Sequence, residues 1–217
     1  MPRESQIKKK ERCKEIISRL ENFYGEVECS LLYRDDPWRL MVAAILAAQC
    51  TDARVNLVTP ALFERFPTME EFATSESSEI ELYIKSCGLF RNKAKSIKLA
   101  AEYCLKEYNG EIPKDFDKIL KIPGVGRKIA NLIIGDCFSM PGIVVDTHCK
   151  RLSYRLGLTS TEDPTKAEYE LLKIVEPAKQ IEYGHLMVEH GRNVCKGQKA
   201  LCDSCVLNDI CPKKKRK

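Results

Sequence analysis

Apolar residues recur along much of the chain at the three- and four-residue intervals of an amphipathic α-helix. The positions are Cys13, Ile16, Ile17, Leu20 and Phe23, then Val55, Val58, Leu62 and Phe63, and then Ile97, Ala100, Ala101 and Cys104. Residues 38–49 are apolar nearly all round, which predicts a central, buried helix. No segment shows the convincing period-2 alternation of a half-buried strand. The pattern therefore predicts an all-α fold.

Residues that commonly start or stop helices support the same fold. They are the pairs Asp36-Pro37 and Asp163-Pro164, the capping box of Thr68 and Glu71, and the stop signal Asn109-Gly110. Irregular, turn-rich sequence is confined to residues 25–36, 110–114 and 140–145 and to a final cysteine-rich segment. These segments are the candidate connections between domains.

Composition narrows the class of protein. The 217 residues are 44% hydrophobic, enough for one large or two small domains. The net charge is +5, with lysine runs at residues 8–10 and 213–217 that either favour a polyanionic partner or are solvated tails. Residues 40–48, the longest apolar run, are far short of the ~18 residues of a membrane span, and the first fifteen residues lack a signal-peptide core. We expect a protein that is neither secreted nor in a membrane.

Four of the eleven cysteines crowd the C-terminal end, whereas the other seven are scattered singly, as in a reducing compartment. The four are spaced Cys195-x6-Cys202-x2-Cys205-x5-Cys211. Only one tight C-x2-C pair is present, flanked by wider gaps, which suits a 4Fe-4S cluster better than a structural zinc ion. A zinc site and unligated thiols remain the alternatives. A cluster here would either position nearby basic side chains or transfer electrons.

The segment KIPGVGRKIANLIIGD, residues 121–136, predicts a helix-hairpin-helix. Residues 115–121 form a short helix, 122–126 a tight turn, and a second helix begins at Arg127. Glycines in the turn and the free N–H groups of the following helix suit a DNA phosphate, so we take Gly124, Val125, Gly126 and Arg127 as candidate contacts. A nucleotide P-loop is excluded because it needs a preceding strand, a longer loop and Ser or Thr after the lysine.

Lys128 lies in the first turn of the second helix and is either a solvated lysine or a nucleophile. An ordinary lysine amine is almost fully protonated near neutral pH. The positive end of a helix dipole contributes only ~0.3–1 kcal/mol against the ammonium, so desolvation must supply most of the activation. A nucleophilic Lys128 is therefore expected to be partly buried in a cleft.

The segment VDTHCKRL places Asp146 just before another predicted helix. Asp146 is an ordinary N-cap in the structural interpretation. In the functional interpretation Asp146 stabilises a cationic transition state or moves a proton through water. A tight ion pair of Asp146 with Lys128 is not expected, because it would raise the pKa of the amine and oppose its nucleophilicity. We expect His148 to make a local structural contact, and Lys150 and Arg151 to meet phosphates or solvent.

Together, LKIPGVGRKIANLIIGD, VDTHCKRL and the four-cysteine spacing resemble the endonuclease III branch of the helix-hairpin-helix DNA glycosylases. LAAQCTDARVN (46–56) and CGLFRNKA (87–94) are also family-like, so the resemblance covers nearly the whole chain. It implies two helical domains. One spans residues 30–140 and carries the hairpin at about 115–138; the other combines 1–29 with 141–217, including a cluster loop at 195–211. The site would be the cleft between them.

The resemblance also implies a base-excision-repair activity on duplex DNA that carries damaged bases or abasic sites. A damaged base leaves the stack, Gln49 and Leu89 fill the space, and Lys128 forms a Schiff base that leads to β-elimination. The structural alternatives are that Gln49 caps a helix and that Leu89 is a core leucine. We expect this chain to lie outside the adenine-excising branch. It has Lys128, it lacks a carboxylate in residues 41–48, and it stops just after the cysteines.

Oxidised or ring-saturated pyrimidines are the substrates that the resemblance implies, and pyrimidine dimers remain an alternative. A further alternative for the function is a non-catalytic DNA-binding module with a redox-sensing cluster. We expect a monomer, cytoplasmic and nucleoid-associated in a prokaryote, or nuclear or mitochondrial in a eukaryote.

Overall fold

The computed structural model describes residues 4–212, which form a succession of α-helices joined by short turns. The helices are α1 (Gln6–Tyr24), α2 (Pro37–Leu46), α3 (Asp52–Arg65), α4 (Met69–Thr74), α5 (Ser77–Ile84), α6 (Phe90–Tyr108), α7 (Phe116–Ile119), α8 (Arg127–Leu132), α9 (Thr147–Arg155), α10 (Pro164–Leu171) and α11 (Gln180–Asn193). Single 3-10 turns lie at Lys85–Cys87, Pro177–Lys179 and Cys202–Ser204, and a π-helical segment at Ile133–Cys137 follows α8. Residues 4–212 contain no strand, so the all-α prediction is confirmed.

The helix ends lie where the capping signals predict them. The Asp36 and Asp163 side chains accept hydrogen bonds from the amides of Arg39 and Lys166, each with a proline at the first helical position. Thr68 and Glu71 form the predicted capping box at α4. Asn109 ends α6 in the left-handed conformation. These local devices satisfy backbone groups that the helix itself leaves unpaired.

The chain divides into two compact units. The unit Cys29–Ser139, here called the hairpin unit, contains α2 to α8. Helices α4 and α5 pack against α6, and α2 contacts α3, α6 and α8. Trp38 and every residue from Leu40 to Leu46 are buried, so α2 is the central helix of this unit. A helix with no polar face is stable only when it is surrounded on all sides.

The second unit, here called the terminal unit, combines the chain up to Glu28 with the chain from Met140 onward. Helix α11 packs against α1 and α9, and α10 packs against α9. The predicted α1 positions Cys13, Ile16, Ile17 and Leu20 are buried in its core. Phe23 was also predicted on that face but is exposed, because it lies in the last turn of α1, where its ring contacts Tyr24 edge-on.

None of the helices within residues 4–212 is both long enough and apolar enough to cross a membrane. The lysine run at residues 213–217 lies outside the described residues, so its role stays a prediction.

Candidate functional site

Lys128 lies in the first turn of α8, as the sequence predicts, but its side chain is exposed. The expectation that it is partly buried in the free protein is therefore wrong. An exposed amine becomes desolvated when a partner binds over it.

The hairpin turn before Lys128 has a different requirement at each glycine. Gly124 has a φ of +79°, and a Cβ atom there would lie 2.9 Å from the Cβ of Ser96. The Val125 amide donates to the carbonyl of Ile122 (3.1 Å), which closes the turn. A Cβ at Gly126 would meet nothing within 4 Å. Gly124 is thus needed for the fold of the turn, whereas Gly126 leaves open surface for a partner.

The Arg127 guanidinium lies over the Phe116 ring, 4.8 Å from its centre. This contact joins the first residue of α8 to the first residue of α7. It orients the side chain on the surface of the hairpin.

Gln49 and Leu89 share an uncommon local geometry. Both have positive φ angles, +53° at Gln49 and +45° at Leu89, and both side chains are exposed. Leu89 is 54% exposed, so it is not a core leucine. Helix α2 ends with Ala47 as its C-cap, so Gln49 is not a helix cap. The structural alternatives for both residues are therefore wrong.

Lys93 connects the segments that carry these two residues. It is only 4% exposed, and its Nζ donates to the carbonyls of Leu46 (2.8 Å) and Cys87 (2.7 Å). Sequence reasoning assigned it no role. The signal was present, because Lys93 lies one helical turn before Ile97 on the buried face of α6.

Asp146 is the N-cap of α9 in the terminal unit. Its Oδ1 accepts a hydrogen bond from the Cys149 amide at 2.7 Å, and the residue is half-buried. One carboxylate oxygen thus holds the helix end. His148 contacts the Arg151 guanidinium at 3.2 Å, as expected of a local structural residue.

The four C-terminal cysteines surround one cavity of about 440 Å³, lined also by Arg155, His190 and Leu207 among others. Among residues 4–212 no three His, Cys, Asp or Glu side chains converge closely enough to hold a single metal ion. Burial, followed by the neighbouring thiols, raises the pKa of Cys205. Four thiols around a cavity fit a cluster of several metal ions better than one tetrahedral zinc.

Two arginines of α9 hold the loop that carries these cysteines. The Arg151 guanidinium donates to the carbonyls of Gly191 (3.3 Å) and Cys195 (2.9 Å). Arg155 donates to the Cys195 sulfur at 3.2 Å and to the carbonyls of Lys196 and Gly197. Arg151 therefore braces the loop, a role that neither of its sequence interpretations included.

His190 contacts the cysteine cavity from α11. Its Nε2 is 3.3 Å from the Cys205 sulfur, and its Nδ1 is 2.9 Å from the Tyr24 hydroxyl. Burial lowers the pKa of His190 to about 4, so the ring is neutral at ordinary pH. If the tyrosine donates to Nδ1, the single ring proton is on Nε2 and points to the sulfur. The contact of Tyr24 with His190 could not be predicted from the sequence, because the two residues are far apart along the chain.

Comparison with known proteins identifies the family to which the chain belongs. Residues 42–177 match the family model of the HhH-GPD superfamily base excision DNA repair proteins. Endonuclease III of Synechocystis sp. is 45% identical over 94% of this chain and 93% of that protein, and endonuclease III of Bacillus subtilis is 38% identical over 90% and 89%. A solved structure of a trapped endonuclease III–DNA covalent intermediate superposes with a TM-score of 0.89 at 38% identity, covering 94% of this chain and 96% of that one.

The fold and the hairpin thus define a helical base-excision-repair protein. The chain belongs to the endonuclease III family within the HhH-GPD superfamily. It is a DNA glycosylase that also has lyase activity. The protein is therefore an enzyme and not a non-catalytic DNA-binding module. The resemblance drawn from the three motifs is confirmed.

Proposed function

We propose that the protein removes oxidised or ring-saturated pyrimidines from duplex DNA and then cleaves the strand, with Lys128 as the nucleophile. The observation that carries the proposal is the placement of Lys128 in the first turn after the hairpin, with its amine on the surface. The likeness to a covalently trapped endonuclease III–DNA intermediate supports an enzyme nucleophile that bonds to DNA.

In this proposal the Lys128 amine attacks C1′ of the damaged nucleotide and displaces the base. The resulting Schiff base makes the adjacent C2′ proton acidic, and its loss expels the 3′ phosphate by β-elimination. Because Lys128 is exposed in the free protein, DNA itself completes the desolvated site. The amine is thus activated only when substrate is bound.

We assign Asp146 the role of stabilising the positive charge that develops on the sugar, or of moving a proton through water. One of its oxygens is engaged by the Cys149 amide. That bond fixes the carboxylate's orientation and leaves the second oxygen for the reaction. A fixed, charged acceptor is the kind of group that stabilises a transition state without reorganising.

Gln49 and Leu89 are assigned to the space that the extruded base leaves. Their support is exposure and backbone geometry: both side chains are exposed, and both residues have positive φ angles. A polar amide suits an unpaired base, and an apolar side chain suits a base stack. Gly124, Val125, Gly126 and Arg127 are assigned to the phosphates, and we take the protein to act as a monomer.

We further propose that Cys195, Cys202, Cys205 and Cys211 hold a 4Fe-4S cluster. Support comes from the cavity that all four line. A cluster bound there would cross-link the loop and bring charge and redox capacity to it. Arg155 and His190 would donate hydrogen bonds to its thiolate ligands.

The test uses duplex DNA with one thymine glycol and added borohydride, and compares wild type, Lys128→Ala and Lys121→Ala on a denaturing gel. Lys121 is another exposed lysine of the same hairpin and serves as the matched control. We expect a covalent adduct and a nicked strand from wild type and Lys121→Ala but neither from Lys128→Ala. Trapping by Lys128→Ala would refute the assignment. Cleavage of pyrimidine-dimer DNA in preference to thymine glycol would reassign the substrate.

A further inference from the structure

The ends of two segments of the hairpin unit converge on one side-chain nitrogen. The Nζ of Lys93 donates to the carbonyl of Leu46 at 2.8 Å and to the carbonyl of Cys87 at 2.7 Å. Leu46 is the last residue of α2, and Cys87 is the last residue of the 3-10 turn before α6. Because both oxygens contact the same nitrogen, the ends of the two segments are held within two hydrogen-bond lengths of each other.

The backbone turns after α2 show why a side chain is needed there. The amides that bond back to the end of this helix use the carbonyls of Ile45 and Ala47. The carbonyl of Leu46, between them, accepts its hydrogen bond from Lys93. Both bonds of the Lys93 amine are buried, so a variant without the donor leaves two carbonyls to find other partners away from water.

Gln49 and Leu89 follow these anchored ends in a backbone conformation that costs free energy. Gln49 lies three residues after Leu46, and its φ is +53°. Leu89 lies two residues after Cys87, and its φ is +45°. Residues with side chains keep such angles only where the surrounding structure imposes them. The bonds from Lys93 to the residues just before both positions supply that restraint.

The main chain of Lys93 adds a direct bond to one of these residues. Leu89 is the N-cap of α6, and its carbonyl accepts a hydrogen bond from the Lys93 amide at 3.1 Å. The side chain of Lys93 points back from the same turn to the segment that precedes Gln49. One residue therefore fixes the backbone on the approach to both exposed side chains.

We propose that Lys93 is a positioning residue for base extrusion, which sets the geometry from which Gln49 and Leu89 enter the DNA. The inference rests on the proposed roles of Gln49 and Leu89. Lys93 itself is buried, so it acts through these two residues and not on the DNA.

A purely stabilising Lys93 has different consequences. Its loss would lower the melting temperature, but the protein that remained folded would release the base at the wild-type rate. A positioning residue slows the folded enzyme, because small misplacements of positioning groups cost large factors in rate. Its effect also disappears once the side chains that it positions have been removed.

Lys98 provides a matched control on the same helix. Its Nζ donates to the carbonyl of Ser75 at 2.8 Å, and Ser75 is the C-cap of α4. Lys98→Met therefore removes the same kind of lysine–carbonyl bond at a helix end that carries neither Gln49 nor Leu89. It should lower stability without slowing base release.

The experiment measures single-turnover release of thymine glycol from duplex DNA by the full-length holoprotein, at a temperature well below the melting midpoint of each variant. Lys93→Met should slow release by at least about tenfold, whereas Lys98→Met should stay near wild type. In a Gln49→Ala/Leu89→Ala background, which is itself slow, Lys93→Met should add little further loss. If Lys93→Met does not fold, Lys93→Gln, which keeps an N–H donor on a shorter side chain, is used for the same comparison.

A spectroscopic readout follows extrusion itself. 2-Aminopurine opposite the thymine glycol becomes brighter when it loses its stacking partners. At saturating protein, Lys93→Met should give a smaller rise in fluorescence than wild type, whereas Lys98→Met should give the full rise. A full rise with Lys93→Met would contradict a role in extrusion.

The kinetic outcomes separate the two levels of the proposal. Wild-type release by the folded Lys93 variant, or the same fold loss in both backgrounds, overturns the positioning role while a slow Gln49→Ala/Leu89→Ala protein upholds the proposed DNA roles. Wild-type release by Gln49→Ala/Leu89→Ala refutes those roles and the positioning role with them.

Discussion

Two lysines of the hairpin unit lie in opposite environments. Lys93 is buried and bonds two carbonyls, whereas Lys128 is exposed. A buried ammonium with two good hydrogen-bond partners serves as a brace between them. An exposed amine is available to a substrate but has to be desolvated by it. Environment thus separates the structural lysine from the proposed nucleophile.

At the residue scale, Asp146→Asn tests a catalytic role apart from capping. Asparagine caps helices as well as aspartate, so the thermal stability should change little. Loss of the charge should slow base release by about 10²-fold or more, the range of general acid-base contributions. Single-turnover release of thymine glycol and a melting curve give the two quantities.

Asp163→Asn is the matched control, because Asp163 caps α10 in the same unit through the Lys166 amide. It should leave both quantities near wild type. Unchanged base release in Asp146→Asn would restrict Asp146 to its capping role.

Helix ends and turns are the elements that the sequence predicts best. The caps at Asp36, Thr68 and Asp163 each bond the amide of the residue three positions later. Such contacts need only neighbours along the chain. The exposure of Phe23 and the burial of Lys93 depend on which other element is packed nearby, and a periodic pattern carries no such information.

At the element scale, the two hairpin glycines should respond differently to alanine. Gly124→Ala puts a Cβ at positive φ and 2.9 Å from Ser96, so we expect a loss of about 1–2 kcal/mol in the free energy of unfolding. Gly126→Ala meets nothing, so its stability should fall less while DNA affinity weakens. Denaturant unfolding and fluorescence anisotropy with duplex DNA measure the two effects. Equal destabilisation by both variants would contradict this division of roles.

In the molecule as a whole, the C-terminal loop depends on partners from several parts of the chain. Arg155 of α9, His190 of α11 and the core residue Leu207 all contact the cysteines. The loop itself has little regular structure beyond one 3-10 turn. A ligated cluster would therefore cross-link a loop that has few backbone hydrogen bonds of regular secondary structure to hold it.

On that basis Cys202→Ser should give a protein with little or no visible iron–sulfur absorbance, a lower melting temperature and weaker binding to duplex DNA. Cys29→Ser, a half-buried cysteine outside the loop, should retain the colour and the affinity. Iron analysis, melting and anisotropy provide the readouts. Full DNA affinity in a Cys202→Ser protein without iron would exclude a positioning role for the cluster.

The all-α fold, the caps, the hairpin and the family can be predicted from the sequence, because each depends on local spacing or on a contiguous motif. Packing between separate segments sets the exposure of Lys128, the bonds from Lys93 to two carbonyls and the approach of His190 to Cys205. These features join residues that are distant along the chain. Their geometry and solvation depend on how helices pack, which no local pattern specifies.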